Sequence, residues 1–358
     1  MIYCEGCGIQ LQTEDEKRPG FIPPAALERD HKYCKRCFRI RHYNELSTVD
    51  HNPDIYLQIL GQIADTDSLV VQIVDLFDIA GSWIPGIHRH IGNNPLLLFG
   101  NKIDLFPQSI KTGKLKEWMH SYASDLGVKP VDVVVGSAAK QEKLQEVRNA
   151  IERYRQGRDV YIVGVTNVGK STFLNYLLEE PIITTSPYPG TTLDVIHIPL
   201  DDDRNIVDTP GIVKKNRLSE WISPKELGEV IPKSRLNPKV YQLNNGQTVF
   251  LAGLARFDYV EGQRQPFTCY FSNRLYLHRT KQEQADSFYE KHLSGLLQPP
   301  LDPNDLPALQ KHRIVLRGSE KQDIVISGLG WIACGKERGV VDVYAPKGIE
   351  VTLRPSII

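Results

Sequence analysis

Asp159-Val-Tyr-Ile-Val-Gly164-Val-Thr-Asn-Val-Gly169-Lys170-Ser171-Thr-Phe-Leu-Asn-Tyr-Leu-Leu-Glu-Glu180 is the stretch on which the fold turns. DVYIVG reads as a buried strand and KSTFLNYLLEE as a helix. Between them, Gly164, Gly169, Lys170 and Ser171 fall at the spacing of a phosphate-binding loop. Its glycines let successive backbone N–H groups wrap phosphates, and the helix N-terminus adds its positive end. Lys170 is placed to neutralise β- and γ-oxygens, and Ser171 to bind Mg²⁺. Asn167, Val168 and Thr172 complete the predicted set of nucleotide contacts around the loop.

Working outward, short β-branched runs recur on the N-terminal side: SLVVQIVD (68–75), PLLLF (95–99) and VDVVVGS (131–137). Near-continuous apolar runs of this length suit parallel strands covered on both faces. Helix-like segments separate them, among them QEKLQEVRNAIERYRQ (141–156), with Leu144, Val147 and Ile151 on one face. The alternation predicts a doubly wound α/β domain over 51–215.

The remaining parts of a nucleotide site lie in the same span. Asp208-Thr-Pro-Gly211 follows the strand-like RNIV. Asp208 is predicted to hold Mg²⁺ through water, and the Gly211 N–H to touch a γ-phosphate. Gly190-Thr191-Thr192 precedes it, with Thr192 the favoured Mg²⁺ ligand and Thr191 the alternative. Asn101-Lys102-Ile103-Asp104 follows PLLLF, and its carboxylate suits the N1–H and 2-amino donors of guanine. Adenine leaves a buried Asp104 unsatisfied, a rejection that can reach about 10⁴-fold. Asn101 is predicted to brace the loop and reach N7, with the Lys102 stem over the base. Ser137-Ala138 follows VDVVV, and the Ala138 N–H is predicted to meet guanine O6. Together these motifs specify GTP and GDP rather than adenosine nucleotides.

Their order is unusual. GTP-binding domains usually run phosphate loop, switch threonine, DxxG, NKxD, SA. Here NKxD and SAA come first, and the phosphate loop, TT and DTPG follow. The two orders are cyclic permutations. One sheet can be built from either, because domain termini usually lie close together at the surface.

Four of the six cysteines fall near the N-terminus, as Cys4-Glu-Gly-Cys7 and Cys34-Lys-Arg-Cys37. Paired CxxC units predict a Cys4 zinc module over 1–50, with His31 or His42 as possible replacement ligands. Cys269 and Cys334 stand alone and are expected to be small buried residues.

The 358-residue chain balances 43 Lys+Arg against 43 Asp+Glu, so no global field draws it to nucleic acid. No apolar run approaches the roughly 20 residues that span a bilayer, and MIYCEGCGIQ lacks the features of a signal peptide. A cytoplasmic protein without membrane partners is expected. Beyond 215 the pattern becomes strand and turn, predicting a β-rich domain over 216–358. Residues 214–281 carry twelve Lys/Arg against five acids, interleaved with Phe257, Tyr259, Phe267, Tyr270, Phe271 and Tyr276. Such a surface suits RNA, with the rings stacking on unpaired bases. The alternative is that the rings are core and the charges a solvated face.

CxxC…CxxC, followed by permuted NKxD…SAA…GxxNxGKS…GTT…DTPG, resembles the circularly permuted GTPases, and among them the YqeH type. The resemblance covers nearly the whole chain and implies a GTP-hydrolysing switch that assists small-ribosomal-subunit assembly through rRNA or pre-ribosomal particles. It also matches Asn167 to the asparagine that coordinates K⁺ in related GTPases. Residue 212 is Ile where Ras-like enzymes keep a water-orienting glutamine, so slow, K⁺-stimulated hydrolysis is expected. A GTP-regulated scaffold that binds proteins without touching RNA is the alternative.

Overall fold

The structure is a computed structural model that describes residues 2–4, 10–15, 20–27, 32–35, 53–177, 196–200 and 202–358. It divides into two compact units, Met1–Asp104 with Lys111–Val213, and Leu105–Ile110 with Lys214–Ile358.

The first unit is built on β1 (Ser68–Asp75), β2 (Leu96–Asn101), β3 (Asp132–Val135), β4 (Asp159–Gly164), β5 (Ile196–Pro199) and β6 (Asn205–Asp208). The sheet order is β3-β2-β1-β4-β6-β5. All neighbours are parallel except β5, which runs antiparallel to β6 at the edge. Every residue of β1 is buried, as a central strand covered on both faces requires. The helix Leu144–Arg155 connects β3 to β4 and buries Leu144, Val147, Ala150 and Ile151 at helical spacing. The chain winds from β1 outward to β2 and β3, then returns to place β4 on the other side of β1. The strand order therefore reverses between β1 and β4, where open α/β sheets bind ligands at their strands' carboxyl ends.

In the N-terminal stretch, Cys4, Leu11, Ile22 and Cys34 form a small buried cluster. The Cys34 N–H donates to Cys4 Sγ at 3.2 Å. Cys7, Cys37, His31, His42 and the helix expected after the second cysteine pair lie outside the described residues.

The second unit contains two antiparallel sheets, with orders β16-β13-β14-β10-β7 and β11-β8-β9-β15-β12. Their strands are β7 (Lys239–Leu243), β8 (Gln247–Leu251), β9 (Ala255–Gly262), β10 (Gln265–Phe271), β11 (Leu277–Lys281), β12 (Leu309–Leu316), β13 (Gln322–Ile326), β14 (Gly330–Cys334), β15 (Gly339–Pro346) and β16 (Val351–Pro355). One core joins both sheets: Phe267 of β10 packs on Phe257 and Tyr259 of β9, with ring centroids 5.0 and 4.9 Å apart.

For the rings, this packing favours the second of the two readings, in which they are core. Phe257, Tyr259, Phe267, Tyr270 and Phe271 are all buried, and only Tyr276 of the six is exposed. Phe257 and Tyr259 share one face of β9, and Phe267, Cys269 and Phe271 one face of β10, by the strand period of two. Tyr270 points the other way and stacks on Trp331 at 4.8 Å. Cys269 and Cys334 are buried, as small core residues. Arg256 is also withdrawn from any surface: it makes two bonds to buried Asp258, at 2.7 and 2.6 Å, and pairs with Asp286.

Leu105–Ile110 directly follows Asp104 yet belongs to the second unit. There Leu236 N–H donates to Leu105 O at 2.9 Å, and Phe106 stacks on Trp331 at 5.6 Å. The sequence reading places these residues in the nucleotide domain, because nothing in LFPQSI itself marks a change of partner.

Candidate nucleotide site

The phosphate loop leaves the carboxyl end of β4 and enters the helix Lys170–Leu177. Two of its residues are left-handed, Asn167 at φ +64° and Gly169 at φ +95°. Gly169 is required twice over: by that φ, and because a Cβ there would lie 2.3 Å from Asn101 Nδ2. The same Asn101 amide donates to Val168 O at 2.7 Å. Asn101, at the end of β2, is therefore a strut between the base-recognition loop and the phosphate loop.

Lys170 and Asp208 are both buried, and each feels the other's charge. Burial lowers the Lys170 ammonium from its ordinary range, opposed by Asp208. Burial pushes the Asp208 carboxyl up to about 6, opposed by Lys170. A Cβ on Gly211 would lie 3.2 Å from Lys170 Nζ, so a side chain at 211 would crowd the ammonium. Past DTPG the main chain pairs with the phosphate loop. Ile212 N–H donates to Gly164 O at 3.2 Å, and Thr166 N–H donates to Ile212 O at 2.8 Å. Residue 212 is thus anchored by its backbone and offers no polar side chain. Ser171 and Thr172 occupy the first turn of the helix.

In the base loop, Lys102 is left-handed at φ +70° and turns the chain from β2 into the tight turn Ile103–Leu105, which carries Asp104. Ile103 N–H donates to Gly136 O at 3.1 Å, tying this turn to the one after β3. Ser137 is fixed there by paired backbone bonds with Glu142, at 2.9 and 3.0 Å. The Ala138 N–H donates to Asn101 Oδ1 at 2.9 Å, joining this turn to the end of β2. The Asn101 acceptor lies within its reach, and a buried N–H takes the partner available. Thr191 and Thr192 lie outside the described residues.

Two residues were missed by the sequence reading. Asp75, at the carboxyl end of β1, accepts from Lys102 Nζ at 2.6 Å and from Phe77 N–H at 2.9 Å. Ser82, fully buried, accepts from Asp75 N–H at 2.9 Å. A signal was available for Asp75: an acid ending a buried parallel strand beside the point where strand order reverses.

Asp104 Oδ1, Asn167 Nδ2 and both Asp208 oxygens are buried without hydrogen-bond partners among the described residues. Unpaired buried polar atoms are costly, each about 1–3 kcal/mol and more when charged, and native folds seldom retain them without a reason. A nucleotide with its Mg²⁺ would supply the complements: base N–H donors for Asp104, phosphate oxygens for Lys170, a hydrated cation for Asp208. The donor set fits that ligand. Fold and site together define a P-loop GTPase whose motifs are circularly permuted, using GTP, GDP and Mg²⁺.

Known proteins agree with that class. Residues 264–357 match the family described as "YqeH-like, C-terminal", and residues 159–235 the family described as "50S ribosome-binding GTPase". YqeH of Bacillus subtilis (strain 168) is 49% identical over 364 residues, covering 100% of this chain and 99% of that protein. NO-associated protein 1, chloroplastic/mitochondrial, of Arabidopsis thaliana is 29% identical, covering 99% of this chain and 76% of that protein. A crystal structure of GNP-bound YlqF from T. maritima is 22% identical over 49% of this chain and 66% of that chain, with a TM-score of 0.31, and adds nothing to the fold described above. The chain belongs to the YqeH-like family of GTPases. Among the described residues no helix is long and apolar enough to cross a membrane.

Proposed function

We propose that this GTPase is a molecular switch that assists assembly of the small ribosomal subunit in the cytoplasm, by binding rRNA or pre-ribosomal particles. The observation that supports the nucleotide half is the Asn101–Val168 strut, which ties together two segments far apart in sequence. Asp104, Lys102, Asn101 and the Ser137–Ala138 turn take the base. The loop Gly164–Thr172 takes the phosphates, with Lys170 neutralising them. Ser171, Thr192 and Asp208 hold Mg²⁺, which supplies charge stabilisation at the phosphates.

Ile212 has no group to orient water, so unassisted hydrolysis is slow. Asn167, held left-handed at φ +64° in the phosphate loop, is the residue whose side-chain oxygen takes K⁺ in this reading. Residues 1–50 form a Cys4 zinc module of Cys4, Cys7, Cys34 and Cys37, supported by the N–H bond on Cys4 Sγ. Residues 51–215 carry the nucleotide, and 216–358 the partner surface.

The ribosomal half rests on family membership and on the exposed Lys239, Arg264, Arg274 and Arg279 of the β-rich region. The matched family description names the 50S particle, so the test must separate the subunits. Protein bound to a non-hydrolysable GTP analogue is sedimented with small- and large-subunit precursors. Nucleotide-dependent, RNase-sensitive cosedimentation with the small-subunit precursor is expected. Binding to the large-subunit precursor alone, or to neither, contradicts the proposal.

A further inference from the structure

We infer that Asp75 is a positioning residue for guanine recognition, acting through Lys102. This rests on Asn101–Asp104 being the base-recognition loop. β1 and β2 are paired with Asp75 opposite Asn101, so both strands end at one level. From there Lys102 adopts a left-handed backbone that favours glycine, a conformation costing about 1–2 kcal/mol for an L-residue. That bend is what delivers Asp104. Two contacts hold it: Lys102 N–H donates to Asn101 Oδ1 at 2.8 Å, and Lys102 Nζ donates to Asp75 Oδ2 at 2.6 Å.

The Asp75 side chain is 4% exposed and that of Lys102 23%, so the pair is shielded from water. Asp75 is itself fixed. Its Oδ1 accepts from Phe77 N–H at 2.9 Å, and its N–H donates to Ser82 Oγ at 2.9 Å. A rigid carboxylate therefore draws the Lys102 ammonium toward the end of β1. It keeps the aliphatic stem extended where a base can lie against it. Asp75 touches no nucleotide atom under this arrangement. It sets where Lys102 lies and how the chain reaches Asp104.

Asp75→Asn removes the charge but retains an oxygen for Phe77 N–H, so the cap survives. GDP affinity is measured by calorimetric titration for the parent, Asp75→Asn, Lys102→Met and the double variant, with thermal unfolding alongside. A charge-assisted buried bond predicts about 10- to 100-fold weaker GDP binding for Asp75→Asn. The double variant should bind no more weakly than the worse single one, because both changes remove one interaction. A purely structural Asp75 would instead lower the melting temperature and add its full effect in the Lys102→Met background. Should Asp75→Asn fail to fold, Asp75→Ser, whose hydroxyl can also accept from Phe77 N–H, takes its place in the same cycle. Binding within about twofold of the parent, or additive losses, overturns the inference. Failure of the parent to prefer GDP over ADP would instead overturn the reading of the base loop.

Discussion

Asn101→Asp is an isosteric change that severs the strut between the two nucleotide loops. Its remaining oxygen can still accept from Lys102 N–H and Ala138 N–H, which now bond Oδ1 at 2.8 and 2.9 Å. The donor to Val168 O, at 2.7 Å, is replaced by a second acceptor. Leaving the buried Val168 carbonyl without its donor costs about 1–3 kcal/mol. Because the strut aligns the two loops for one ligand, that cost corresponds to roughly 5- to 150-fold in affinity. GDP and a non-hydrolysable GTP analogue should lose equally, because Asn101 contacts neither Asp208 nor Gly211. Calorimetric titration with both nucleotides reads the effect, and circular dichroism confirms that the variant is folded. A folded variant with both affinities within about threefold of the parent, or a loss for the GTP analogue alone, would refute the reasoning.

Other outcomes follow from the packing and charges. Arg256→Ala leaves the buried Asp258 carboxylate without its cation, held only by the Thr248 hydroxyl, and should lower the stability of the β-rich unit by about 3–5 kcal/mol in urea unfolding. Asp286→Ala removes the exposed partner of Arg256 and should change stability by less than ~1 kcal/mol. Arg313, with Lys311, holds the Asp342 carboxyl below the usual carboxylate range. The stability it confers is present above the ordinary carboxylate pKa and is lost as pH falls through the folded value. The urea midpoint of Asp342→Asn should therefore lie below the parent's at pH 7 and converge with it in the acid range. If the β-rich region binds RNA, Tyr276→Ala should weaken binding at unchanged melting temperature. Phe267→Ala should instead lower stability by about 3–5 kcal/mol, as a core truncation. Elemental analysis of purified protein should find zinc that Cys34→Ser loses; equal zinc in both would exclude that cysteine as a ligand.

Much of the first unit was legible because its signals are local. SLVVQIVD and DVYIVG become β1 and β4 over those same residues, since a fully buried parallel strand needs an unbroken apolar run. The glycines and the Asp, Asn and Lys of the motifs could be read from spacing alone. What spacing cannot show is which partner each polar group finds. Ala138 N–H turns to Asn101, and Lys102 to Asp75, through pairings 37 and 27 residues apart in sequence. The rings at 257–276 were harder to place for a different reason. Basic and aromatic residues alternate there whether the strand lines a core or an RNA groove, and only the facing sheet decides. Phe106 shows the same limit: its stacking on Trp331 joins residues no local pattern connects.

The base and phosphate motifs serve one ligand only if Asp104, its Oδ1 buried and without a partner among the described residues, meets the edge of a guanine. Calorimetric titration of the nucleotide-free, full-length protein with GDP and with ADP at equal Mg²⁺ measures this directly. GDP is expected to bind at one site and ADP about 10⁴-fold more weakly, with the preference lost in Asp104→Ala. Equal affinities for the two, or a preference that survives Asp104→Ala, would mean that Asp104 does not read the base.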